Sequence, residues 1–152
     1  MLGTLTKKPA VAFVLIFVLS ALVSGCSGSN MNSNSSDSFP MASLENMPIN
    51  VQESPVIVQQ SYQFAVANPD TLKQIPCYCG CGSMGHTSNY ACYVKEENPG
   101  GDPVYDNHAL GCSICVDITQ DTMRLLNQGK TVPEILTYVD KTYSQFGPSN
   151  VS

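Results

Sequence analysis

The chain has 152 residues, of which 12% are charged, with 7 basic against 12 acidic side chains. That length leaves room for one domain, and the absence of any Lys/Arg cluster after Lys8 excludes nucleic acid as a partner. Seven cysteines and two histidines are the unusual part of the composition, and six of those cysteines lie with both histidines between residues 77 and 115.

Residues 1–26 are predicted to be an export signal. Lys7 and Lys8 form a positive start, residues 11–23 are apolar, and Leu22-Val23-Ser24-Gly25-Cys26 matches a lipobox whose cysteine takes the lipid. The apolar run of about 13 residues is short of the roughly 20 a spanning helix needs, so an uncleaved anchor is the weaker alternative. Either way the rest of the chain is placed on the extracytoplasmic face of the cell membrane. Without Lys7 and Lys8 it carries 5 basic and 12 acidic residues, a net charge near −7. An acidic surface of this kind suits cation capture and is also common among exported proteins.

Residues 27–55 are rich in Ser, Asn and Pro and too poor in apolar side chains to offset ordering entropy, which predicts a flexible tether. The folded domain is expected over residues 56–147, with 148–152 as a tail. Val56-Ile57-Val58 and Tyr62-Gln63-Phe64-Ala65-Val66 are too short to assign to helix or strand. Asn68-Pro69-Asp70 reads as a helix start, with Asn68 capping, and Pro76 closes that helical stretch just where the cysteines begin.

Cys77-Tyr78-Cys79-Gly80-Cys81 places three thiols at alternate positions, so in extended backbone the sulfurs face one side. Gly80 and Gly82 allow the backbone to curl around them. Cysteines separated by one residue make strained disulfides but readily share a soft cation. His86 follows in a Gly/Ser-rich loop with Met84, a weaker thioether candidate, and Cys92 sits in the strand-like Tyr90-Ala91-Cys92-Tyr93-Val94. Residues 95–107 read as a polar surface loop.

His108-Ala109-Leu110-Gly111-Cys112-Ser113-Ile114-Cys115 is the second constellation. Cys112 and Cys115 share a helix face, and Gly111 places the helix start near Cys112, where the helix dipole favours thiolate. Such a C-x-x-C pair serves either as a redox dithiol or as half of a tetrahedral metal site. No histidine follows Cys115, which excludes haem attachment, and no paired carboxylates or Ser/His/Asp grouping points to hydrolysis.

Beyond the C-x-x-C, Ile114, Ile118, Met123, Leu125 and Leu126 repeat at helical spacing, and Gly129 supplies a left-handed stop. Thr131-Val132-Pro133-Glu134 is a capping box opening a second helix, with Ile135, Leu136, Val139, Tyr143 and Phe146 on its apolar face. The fold class expected is mainly α: a small Cys/His-rich domain with irregular Cys-rich loops and a C-terminal antiparallel helical hairpin.

Over residues 58–144 the chain resembles the PCYCGC-motif family of exported lipoproteins. The resemblance rests on Asn68-Pro69, Ile75-Pro76-Cys77-Tyr78-Cys79-Gly80-Cys81, Gly85-His86, Cys92, His108-Ala109, Cys112-x-x-Cys115, Gly129-Lys130 and Ile135…Asp140-Lys141-x-Tyr143. From Cys112 onward there is a weaker similarity to the helical domain of the cytochrome c maturation protein H. That similarity implies thiol handling with an apocytochrome outside the membrane, and the chain departs from it by adding the first cysteine cluster and both histidines.

The reading that follows is a lipid-anchored metal-binding protein for Cu(I) or Zn(II) capture or delivery, more a binding protein than an enzyme. Its candidate ligands are Cys77, Cys79, Cys81, His86, Cys92, His108, Cys112 and Cys115. Cys26 would carry the lipid, and an extracytoplasmic metalloenzyme or an apocytochrome would be the partner. Two rivals stay open: a thiol–disulfide redox protein using Cys112 and Cys115, and a structural module stapled by three disulfides.

Overall fold

A computed structural model describes residues 39–151. The lipobox with Cys26 and the first part of the expected tether lie outside the described residues. The folded part begins well before Val56. The Phe39 ring meets Phe64 edge-on at 4.8 Å, and Met47 and Val51 are buried in the core. The Ala42 N–H donates to Gln63 O at 3.0 Å, while Asn68 Nδ2 reaches Pro40 O at 2.8 Å. The expected tether over residues 27–55 therefore does not extend to residue 55. Its Ser/Asn bias hid four apolar side chains, Phe39, Met41, Met47 and Val51, which find the core through long-range contacts.

A short helix α1 (Ile49–Gln52) leads through Pro55 into α2 (Val56–Ala67), which absorbs both apolar patches that were too short to assign. Val58, Tyr62 and Ala65 recur at helical spacing and are buried with Phe64. Each fully buried side chain of this size contributes about 1.5–3 kcal/mol relative to exposure. The single turn α3 (Pro69–Leu72) follows, with Pro69 in its first turn as expected. Asn68 does not cap it through its side chain, which instead turns back to Phe64 O and Pro40 O.

Residues 77–92 are irregular, with 3-10 turns at Cys81–Met84 and Tyr90–Cys92. The stretch expected to be a loop then forms an antiparallel hairpin of β1 (Val94–Glu97) and β2 (Pro103–Tyr105), in which Val94 pairs with Tyr105 and Glu97 with Pro103. Its charged side chains disguised it, because three of the four β1 residues face solvent. The Asp106 N–H donates to Tyr93 O at 2.8 Å, so the hairpin returns the chain beside Cys92 and into the 3-10 turn His108–Leu110.

Helix α4 (Ser113–Asn127) is the central element, packed on α2 and on α5 (Val132–Tyr143). Ile118, Thr119 and Thr122 are fully buried on it, and Leu125 nearly so. Gly129 takes φ +75°, with Gly129 N donating to Leu126 O and Lys130 N to Leu125 O, the paired bonds of a left-handed helix stop. The capping box forms, Glu134 Oε2 accepting the Thr131 N–H at 2.8 Å. Tyr143 Oη donates to Asp121 Oδ2, and Arg124 lies over the Tyr138 ring. Phe146, expected on the apolar face of the last helix, is 55% exposed because a 3-10 turn at Ser144–Phe146 breaks the spacing. The described chain is thus mainly helical, with a small sheet and a cysteine-rich segment. Among the described residues no helix is long and apolar enough to cross a membrane.

Candidate metal centre

The irregular segment begins where Ile75 and Pro76 leave α3, and its path is pinned by its own closure and by the C-terminal residues. The Asn89 N–H donates to Ile75 O at 2.7 Å, closing residues 75–89 into a loop. At its centre Gly80 has φ +84°, a conformation a side chain would strain, and the chain turns there from Cys79 into Cys81. Gly82, expected to share that work, lies inside the following 3-10 turn instead. The C-terminal residues lie across the motif. Asn150 Oδ1 accepts the Cys77 N–H at 2.7 Å, and the Asn150 N–H donates to Cys77 O at 3.2 Å. Asn150 Nδ2 also reaches Cys81 Sγ at 3.4 Å and Ser88 O at 3.2 Å. Of the tail expected over residues 148–152, Asn150 therefore packs on the motif.

Helix α4 supplies the other half. Cys112 occupies its N-cap position with extended backbone, and Cys115 lies one turn in, fully buried. The Cys115 carbonyl accepts Asn89 Nδ2 at 3.1 Å and Tyr93 Oη at 2.8 Å. Thr119 Oγ1 in turn donates to Asn89 Oδ1 at 2.6 Å. This buried polar network fixes the helix start against the loop that carries Cys92. His108 is not on α4: Gly111 separates its 3-10 turn from the helix, yet the turn still delivers the ring to the cysteines.

All eight expected candidates come together. The Sγ of Cys77 is 3.4 Å from those of Cys79 and Cys115, and Cys115 Sγ is 3.0 Å from Cys112 Sγ. His108 Nε2 is 3.3 Å from Cys79 Sγ, and Cys81 and Cys92 Sγ are 3.7 Å apart. A disulfide bond is about 2.05 Å long, whereas thiolates on one tetrahedral ion with ~2.3 Å bonds stand ~3.8 Å apart. The six cysteines are not bonded to one another, and their Sγ separations of 3.0 to 3.7 Å lie beyond a disulfide bond and at or below the tetrahedral spacing. Two four-residue groups have ligand atoms within 4.8 Å of one another: Cys79, His108, Cys112 and Cys115, and Cys81, His86, Cys92 and His108. Cys77 joins both through Cys79 and Cys81, and through Cys92 and Cys115. Met84, the weaker thioether candidate, is 63% exposed.

The electrostatics of the metal-free cluster are uneven. Cys77 is held well below the ordinary thiol range, first by the Cys115 thiol donating to it and then by Cys92. Cys112 is lowered in the same way, chiefly by Cys115. Cys115, hydrogen-bonded to both, is pushed far up, while Cys79 and Cys81 are raised mainly by burial.

Three residues outside the expected set, Asp106, Asn150 and Asn89, position the candidate donors. Asp106 Oδ2 lies 3.5 Å from His86 Nε2, and its Oδ1 accepts the His108 N–H at 2.7 Å. His86 is 9% exposed, and its Nδ1 is buried without a hydrogen-bond partner. A carboxylate on one ring nitrogen with the other left over is the arrangement of a metal-binding histidine. Asp106 precedes His108 by two residues, a faint signal in the sequence. Asn150 and Asn89 carry none, since neither type nor spacing marks them.

The family described as proteins of unknown function with a PCYCGC motif matches residues 15–149. The chain belongs to that family. No curated protein and no solved structure matched it, so the likeness of the C-terminal third to cytochrome c maturation protein H gains no support from these comparisons. In this PCYCGC protein the motif's own tyrosine is structural: Tyr78 Oη donates to Asp140 on α5, tying the cysteine segment to the C-terminal helices. These Cys/His groups have the donor types and separations to hold a metal ion.

Proposed function

We propose that the chain is an exported, lipid-anchored protein that captures Cu(I) or Zn(II) and passes it to an extracytoplasmic metalloenzyme. The observation that carries this reading is the convergence of six thiols and two imidazoles from three separate segments, with a buried His86 nitrogen that no protein group satisfies. Soft thiolates with borderline imidazole select these d10 ions over hard cations. The lipobox at Cys26 supports anchoring at the membrane, and the acidic charge suits an export product that gathers cations. Asp121 meets Tyr143 while Arg124 meets Tyr138, so rising numbers on α4 face falling ones on α5. We read the pair as the antiparallel hairpin that braces the Cys112 helix start.

One observation favours a second reading. Cys112 and Cys115 are the closest thiols, and Cys112 is the one at the helix start, as a redox dithiol requires. An apocytochrome would then be the partner. The two readings separate in variants of the reduced protein. Cys79→Ser is expected to lower metal content, and to leave thiol exchange with a model disulfide unaffected. A protein that binds no Zn(II) or Cu(I) yet loses all exchange activity on Cys112→Ser would reverse the assignment.

A further inference from the structure

The donor count exceeds what one ion uses. A d10 ion in a closed thiolate site takes at most four ligands, and eight donors converge here. Charge leads to the same conclusion. Among the described residues the ion pairs of lysine and arginine join Lys73 to Glu97, Arg124 to Asp121 and Lys130 to Glu134, none of them at the cysteines. Thiols that ionise on taking up metal there draw their countercharge from the metal, and six thiolates carry more charge than one ion of either kind supplies.

The geometry divides the donors. His108 is common to both four-residue groups, but its Nε2 stands 3.3 Å from Cys79 Sγ, which commits it to the group with Cys112 and Cys115. Cys77 lies between the groups, its sulfur 3.4 Å from those of Cys79 and Cys115 and within 4.8 Å of those of Cys81 and Cys92; because the first group is already complete, it is the donor left to join Cys81, Cys92 and His86. Each set then has three thiolates and one imidazole. They differ in access: Cys77, Cys81, Cys92 and His86 are all buried, whereas Cys79, His108 and Cys112 are half-exposed and only Cys115 is buried.

We propose, on the metal-binding reading above, that the protein holds two adjacent d10 ions. An inner ion sits on Cys77, Cys81, Cys92 and His86, and an outer ion sits on Cys79, His108, Cys112 and Cys115. The inner ion holds the fold. The outer ion is the one exchanged, and it leaves by the Cys112 face, where a shallow groove runs along Leu110, Gly111 and Val58.

The test is to load the reduced full-length chain in detergent with spin-active cadmium and record its metal NMR spectrum alongside intact mass. The expected result is two ions per chain and two resonances. Chelator should then remove one ion quickly and the other at least tenfold more slowly, a measurement that needs no variant. Cys112→Ser is expected to weaken the fast-leaving ion alone and keep the slow one. One ion per chain, or two ions leaving at one rate, would overturn the two-site inference and leave metal binding intact. A chain that takes up no cadmium under reducing conditions would remove the metal-binding reading as well. Loss of both resonances in a folded Cys112→Ser protein would contradict the division into inner and outer sites.

Discussion

At the scale of single residues, the clustered donors were legible and their supports were not. Cysteine and histidine carry their chemistry in the letter itself, so spacing alone selected all eight candidates between Cys77 and Cys115. Asparagine does not. Asn150 makes three side-chain hydrogen bonds to the motif segment, at Cys77 N, Cys81 Sγ and Ser88 O, across more than 60 residues of sequence. Asn150→Ala is expected to destabilise the protein by about 1–3 kcal/mol, since it strands the buried Cys77 N–H. Urea titration checks this, and unchanged stability would show that the C-terminal contact is incidental. Gly147 acts on the same contact. A Cβ there would stand 2.8 Å from Tyr78 O, too close to be accommodated without backbone movement. Gly147→Ala should therefore lift residues 147–151 from the motif and lower stability together with Asn150→Ala, the double variant costing little more than either alone.

At the scale of elements, the C-terminal helices could be read because their signals are local. Gly129, Thr131 and Glu134 act within one turn of their own position, and the structure realises each of them. The N-terminal helices failed that test. Gln59 and Gln60 interrupt α2 in a hydropathy reading, although Val58, Tyr62 and Ala65 keep helical spacing across them. The hairpin of β1 and β2 was hidden by its charges, and the start of the fold at Phe39 by the serines around it. The capping box gives a pH prediction. Bonds from the Thr131 N–H and Lys130 hold Glu134 down to about 2, below its ordinary 4.5. Because the folded value is depressed, this stabilisation is present above pH 4.5 and fades as pH falls toward 2. Glu134→Gln is expected to melt earlier than the parent at neutral pH, with the gap closing through that window in thermal scans. A gap that persists unchanged at the acid end would mean that the capping box does not act through the carboxylate charge.

At the scale of the whole molecule, the domain has a hydrophobic core on α4 and a second centre made of sulfur. The buried network of Asn89, Tyr93 and Thr119 joins the two, because all three are bonded around the Cys115 carbonyl or to one another. Loss of the metal would therefore be felt at the start of α4. The measurement that tests the central claim most directly is the intact mass of the full-length chain, purified anaerobically in detergent from its own membrane, with its thiols then mapped by alkylation. Metal binding requires added mass matching Cu or Zn, and after chelation all of Cys77, Cys79, Cys81, Cys92, Cys112 and Cys115 should alkylate. A metal-free chain six hydrogens lighter than its reduced form, with none of those cysteines reactive, would contradict the account and make the PCYCGC segment a disulfide staple.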